Sequence, residues 1–111
     1  PIYLVKGKEK KIEVFSSDKQ PVGRFDKRKP FTNVKVEFEK NDTLYLFTDG
    51  FVDQFGGPKG KKFKRKKFKE LLLSINNKSS KDKKSYIDNI FERWKGDLEQ
   101  VDDVCVVGIQ L

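Results

Sequence analysis

Asn41-Asp-Thr-Leu-Tyr-Leu-Phe-Thr-Asp-Gly-Phe-Val-Asp53 sets an almost wholly apolar and aromatic run, Thr43 to Thr48, directly against an acid–glycine pair. Such a run reads as a central strand covered on both faces, entered from a turn at Asn41-Asp42. Asp49 and Gly50 stand where it ends, and Asp53 follows four residues after Asp49. The chain repeats the arrangement in reverse at its close, where Asp102-Asp103 directly precedes the apolar stretch Val104 to Leu111 (VCVVGIQL). A carboxylate at a strand end is held by a rigid element while its loop stays accessible. If the two strands are neighbours with these ends together, Asp49 and Asp102 converge, and convergent carboxylates suit hard divalent cations such as Mg²⁺ or Mn²⁺. The chain has no His and one Cys, which argues against zinc. Each motif also has a plainer reading. Asp-Gly is the usual hairpin turn, with FVDQF (51–55) as the returning strand, and Asp102-Asp103 fits a solvated turn. Residue types alone leave both open.

Outward from this centre, Ile2 to Lys6 and Lys11 to Phe15 are short β-rich segments separated by Gly7-Lys8, which predicts a hairpin. Ser16 to Pro30 carries Pro21, Gly23 and Pro30 and reads as loop. Val34, Val36 and Phe38 alternate with Lys35 and Glu37, a strand with one buried and one wet face. After Gly56-Gly57-Pro58 the period changes. Phe63, Phe68, Leu71, Leu72 and Ile75 fall near helical spacing, with Phe63 five residues from Phe68 and so placed just ahead of the helix proper. A second helix starts from Ser79 or Ser80 as cap, lines one face with Ile87, Ile90, Phe91 and Trp94, and stops at Gly96. The order β-β-β-β-α-α-β specifies an α+β layered fold.

Bulk composition sets limits on this picture. At 111 residues and 13.0 kDa a chain buries roughly two thirds of its unfolded surface, enough for one modest core. Charged residues make up 38% of it, yet ten Phe, three Tyr and one Trp supply large core side chains. The net charge of +8 admits nucleic acid or an anionic membrane as partner without choosing between them. Cys105 by itself excludes an internal disulfide and fits a reducing compartment. Lying in the closing apolar stretch, it reads as core. No apolar run approaches the ~18 residues of a membrane-spanning helix. The chain opens on Pro1 with Ile2 to Val5 already strand-like, which suggests a fragment of a longer protein.

Lys59 to Lys69 (KGKKFKRKKFK) holds eight basic residues in eleven. Interleaved aromatics and cations are what phosphate-backbone contact and base stacking use, and a polybasic stretch also suits an anionic membrane or an acidic partner. The structural alternative is that Phe63 and Phe68 anchor the helix start while the lysines are solvated.

The segment from Asn41 to Asp53 resembles the D-x-L-x-L-x-T-D-G-x-x-[DE] motif of SpoIIE-like phosphatases, part of the PPM or protein phosphatase 2C superfamily. Gln100-Val-Asp-Asp-Val104 is similar to the same family's closing Q-x-D-D-[IV]-T motif. Phe63 to Ile75 looks like its short helix after a Gly-rich loop, Trp94-Lys95-Gly96 fits the stretch before the closing motif, and Ser17 to Gly23 (SSDKQPVG) is similar to its P-[LIV]-G loop. The two acidic motifs at this spacing are the specific part.

This resemblance implies an αββα sandwich, present here in part as its C-terminal half across residues 1–111, with a largely antiparallel sheet and both helices on one face. It implies a phosphoserine/phosphothreonine protein phosphatase of bacterial signalling, with two Mn²⁺ or Mg²⁺ ions activating the attacking water. Asp49 and Asp102 correspond to metal ligands, Gly50 to the tight exit beside the metal, and Asp53 and Asp103 to accessory acids. The implied partners are a phosphorylated protein, of the anti-anti-sigma kind, and a sensor domain upstream in the same parent chain. The setting is cytoplasmic, with membrane tethering of the parent allowed, and nucleic acid is disfavoured. The family's domain is nearly twice this length, and its first half supplies an Asp that bridges both metals. The expectation is therefore that this chain alone is inactive and that its uncovered sheet face promotes a homodimer. Cys105 stands where the family usually has Thr. The competing class is a basic, non-enzymatic module for nucleic acid or an acidic protein.

Overall fold

The computed structural model describes residues 1–15 and 36–111. The loop read over Ser16 to Pro30, with its SSDKQPVG segment, lies outside them, as does Val34.

β1 (Ile2–Lys6) and β2 (Lys11–Phe15) form the expected antiparallel hairpin, closed by Lys10 N–H donating to the Lys6 carbonyl at 2.9 Å. β3 (Thr43–Phe47) joins the other side of β1, and β6 (Val106–Gln110) joins β3. The sheet order is β2-β1-β3-β6, every pair antiparallel. A two-residue ribbon, β4 (Phe55–Gly56) with β5 (Lys61–Lys62), precedes α1 (Lys64–Ser74) and α2 (Ser80–Lys95). The α+β class and the mostly antiparallel sheet with two helices stand as expected. The strand expected over Val34, Val36 and Phe38 does not in its described part: Val36 to Glu39 belong to no strand, and Phe38 is exposed.

Register explains which face is covered. Strand side chains alternate, so Tyr3, Tyr45 and Gly108 form one row across the sheet and Leu4, Leu44 and Ile109 the next. The first face meets the helices. Tyr3 and Phe47 stack with Phe68 of α1, and Phe51 bridges Phe68, Phe63 and Phe91 at centroid distances of 5.0–5.1 Å. Each aromatic pair adds about 0.5–1.5 kcal/mol to its area burial, so this chain of rings is the core. Leu71, Leu72 and Ile75 complete it. The opposite face is only partly covered, with Leu46 at 38%, Val107 at 45% and Ile109 at 42% exposure. The expectation that Thr43 to Thr48 is covered on both faces is thus corrected for Leu46. The closing stretch forms a sheet edge rather than an interior strand, so Cys105, just ahead of β6, is exposed instead of core.

Both helices begin where expected. Ser79 caps α2, its hydroxyl accepting from Asp82 N–H at 3.2 Å, and Gly96 ends it. Phe63 precedes α1 and is buried against Trp94 and Phe51.

Candidate functional site

The pairing of β3 with β6 fixes where the acidic motifs fall. Because the two strands run antiparallel with Phe47 opposite Val106, the exit of β3 and the entry to β6 lie at the same end of the sheet. Thr48 fastens them. Its N–H donates to the Cys105 carbonyl at 3.0 Å, its hydroxyl donates to the Asp103 carbonyl at 3.1 Å, and Cys105 N–H donates back to that hydroxyl at 3.1 Å. Gly50 then packs directly on the Asp103 backbone. A Cβ there would collide with the Asp103 carbonyl oxygen, so only glycine allows this approach.

The hairpin reading of Asp49-Gly50 fails on the same evidence, since β3 has β1 and β6 as its neighbours. The chain instead makes one tight turn, Asp53 N–H donating to the Asp49 carbonyl at 2.9 Å, and sends Phe51 and Val52 into the core. Burial of those two side chains is what anchors the turn carrying Asp49 and Asp53.

A residue the sequence did not flag ties this turn to the other one. Gln54 is fully buried, and its side-chain amide donates to the carbonyls of Glu99 at 2.8 Å and Phe55 at 3.0 Å, while its amide oxygen accepts from Val101 N–H at 3.4 Å. Its backbone carbonyl accepts from Trp94 Nε1 at 2.8 Å and Phe63 N–H at 3.0 Å. One amide thus fixes the approach to Asp102 relative to the exit from Asp49. The only cue in the sequence is an uncharged polar residue two positions after the buried pair Phe51-Val52.

Electrostatically the site is acidic with a basic rim. Arg65, on the first turn of α1, places its guanidinium 3.1 Å from Asp49 Oδ1, and Lys62 lies 3.8 Å from Asp53, all four about half exposed. Asp102 Oδ1 accepts from Asp103 N–H at 2.7 Å, and both acids are exposed. The donors here are oxygens, the right kind for Mg²⁺ or Mn²⁺. In number they fall short: among the described residues no group of three or more His, Cys, Asp or Glu is placed to hold a metal ion. Asp49 and Gly50 stand on one of the two adjoining turns and Asp102 on the other.

The basic run resolves in favour of the structural alternative for its aromatics. Phe63 and Phe68 are buried, so neither is available for base stacking. Lys67 lies over the Trp94 ring at 4.1 Å and Lys69 over Tyr3 at 5.5 Å, leaving their stems to cover apolar surface. No helix among the described residues is long and apolar enough to cross a membrane.

The family model for Stage II sporulation protein E (SpoIIE) matches residues 1–111. The chain belongs to the SpoIIE family. No curated protein matches it. Among solved structures, the SiaA-PP2C domain of Pseudomonas aeruginosa superposes with a TM-score of 0.83 at 22% identity, covering 99% of this chain and 42% of that one. The likeness is one of fold, and the SpoIIE chain spans less than half the length of that neighbour. Its four-stranded sheet with two helices on one face is accordingly a fragment of a PP2C-like fold.

Proposed function

We propose that the SpoIIE domain containing this chain is a phosphoserine/phosphothreonine protein phosphatase dependent on Mn²⁺ or Mg²⁺. Asp49, Asp102 and the Gly50 carbonyl hold the cation, with Asp53 and Asp103 supporting them. The observation that carries this is the Thr48–Asp103–Cys105 lock, which joins the exit of β3 to the entry of β6 and sets Gly50 on the Asp103 backbone. A bound divalent pair would acidify water and neutralise phosphate charge. This chain's own contribution is to orient two carboxylates, through Gln54 and Thr48, and to offer cations beside them. Arg65 and Lys62 rim the acids, so a phosphorylated or acidic protein segment meets compensating charge on arrival. The substrate in this reading is a phosphorylated protein of bacterial signalling, of the anti-anti-sigma kind, in a cytoplasmic setting. The remaining metal ligands come from residues beyond these 111, and the chain by itself is inactive.

The test is phosphate release from a phosphoserine peptide. A complete domain that includes this chain should be Mn²⁺-dependent and lose at least about 100-fold in kcat/KM on either Asp49→Asn or Asp102→Asn. The 111-residue chain should release none. Unchanged activity in both variants would reject the metal assignment. Salt-sensitive nucleic-acid binding without hydrolysis would favour the basic binding module instead.

A further inference from the structure

An open groove of about 990 Å³ runs between α2 and the β3–β6 side of the sheet, from Phe51, Gln100 and Val104 near the acidic turns to Thr43 and Gln110 at the other end. Thr43 and Tyr45, which line it, begin β3, whereas Asp49 lies beyond its end, six residues or roughly 20 Å from Thr43 along an extended chain. Two features inside the groove are costly unless something answers them. Lys83 of α2 is 6% exposed, yet no carboxylate pairs with it among the described residues, and its ammonium donates only to Thr43 Oγ1 at 3.3 Å. Tyr45 is 2% exposed, and its hydroxyl has no hydrogen-bond partner among them. Burial pulls the Lys83 pKa down and pushes that of Tyr45 up to about 12.

The sequence makes room for this arrangement. Gly108 sits opposite Tyr45 on β6, and a Cβ there would lie 3.1 Å from the Tyr45 ring. The ring therefore lies across Gly108, with Tyr45 in the groove lining and its hydroxyl buried. A water molecule would satisfy that hydroxyl but leave the ammonium without a counter-charge. An anion answers both. Since Lys83 donates to Thr43 Oγ1, the Thr43 hydroxyl proton is also directed elsewhere, giving three donors of one polarity. Thr43 and Tyr45 lie two residues apart on one strand face, so both side chains enter the groove from the same side of the sheet. Asp88 and Glu92 also line the groove, but further along α2. Lys81 and Lys84 flank Lys83 at the helix start, where the helix dipole also favours negative charge.

We infer that this groove binds a compact oxyanion, the phosphate or carboxylate group of a small molecule, with Lys83 as its cation and the Tyr45 and Thr43 hydroxyls as donors. The inference is independent of the phosphatase reading.

Calorimetric titration of the 111-residue chain with inorganic phosphate and, separately, acetate, at constant ionic strength in chloride, tests it. Saturable binding of at least one anion is expected, with a matching rise in Tm. Phosphate alone points to a phosphoryl ligand, whereas acetate binding points to a carboxylate. Tyr45→Phe and Lys83→Met should each weaken that binding at least ten-fold while leaving Tm in chloride unchanged or higher. Lys66→Met, which removes the same charge from the exposed face of α1, should leave binding as it was. If Lys83→Met does not fold, Tyr45→Phe, which deletes one unpartnered oxygen, decides the matter. No saturable binding of either anion, equal binding in the chain and Tyr45→Phe, or equal losses with Lys66→Met would overturn the site.

Discussion

Asp42 shows how much a single carboxylate can fix. It is buried at the foot of β3, where it accepts from Lys6 Nζ at 3.0 Å, Gly7 N–H at 3.0 Å and Glu39 N–H at 2.8 Å. Its own backbone carbonyl accepts from Leu111 N–H at 2.9 Å, so one residue joins the β1–β2 turn to the end of β6. Burial by itself would raise its pKa, but the Glu39 and Gly7 N–H groups and the Lys6 ammonium outweigh that and hold it below the ordinary carboxylate value of 3.8. Removing a charged acceptor with buried donors costs the desolvation of those donors. Asp42→Ala should therefore lose on the order of 3 kcal/mol in urea unfolding. The sign of the pH dependence follows from the lowered pKa: the stabilisation is complete above 3.8 and is lost as pH falls through the lower folded value. The wild-type chain should show that acid step and Asp42→Ala should lack it. The sequence presented Asp42 only as half of a turn, because nothing local reveals donors that arrive from positions 6 and 7. Arg65 was hidden in the same way, one cation among eight. Its exposed pair with Asp49 is worth about 0.2–1 kcal/mol, so Arg65→Met should tighten Mn²⁺ binding by about 1.4- to five-fold in a fluorescence or calorimetric titration.

Elements were more legible than residues where a local rule governs them. The hairpin of β1 and β2 follows from two β-rich runs and a short turn, and α2 follows from its Ser79 cap and Gly96 stop. Side-chain period could not distinguish an interior strand from an edge strand, because coverage depends on what packs from elsewhere. Leu46, Val107 and Ile109 are the result. Nor did the sequence reveal the backbone conformation at the entry to α1. Lys64 adopts φ +72° while its N–H donates to the Val52 carbonyl at 2.8 Å. A left-handed conformation costs a side-chain-bearing residue about 1–2 kcal/mol, and the position sits at the helix start, where the propensity penalty of glycine is smallest. Lys64→Gly should raise Tm by several degrees, and a fall in Tm would show that the Lys64 stem contributes more than the backbone strain removes.

At the scale of the whole molecule, the sheet is the dividing layer. One face holds the aromatic core, and the other shows Leu46, Val107 and Ile109 to solvent beside the β6 edge. Apolar surface next to an edge that is unpaired among the described residues invites a second chain. The 111-residue chain should therefore self-associate in sedimentation runs at high concentration, and the double change Val107→Lys with Ile109→Lys should return it to monomer. A monomeric mass across the whole range would count against this.

The central claim is that the acidic turns at positions 49 and 102 serve one cation. Amide NMR of the chain during a substoichiometric Mn²⁺ titration reads this directly, since the paramagnetic ion erases nearby signals. Asp49, Gly50, Asp102 and Asp103 should broaden first and together, and either Asp49→Asn or Asp102→Asn should abolish broadening at both turns. Broadening that begins at unrelated acids such as Asp88 and Glu92, or that persists at one turn when the other is changed, would contradict it.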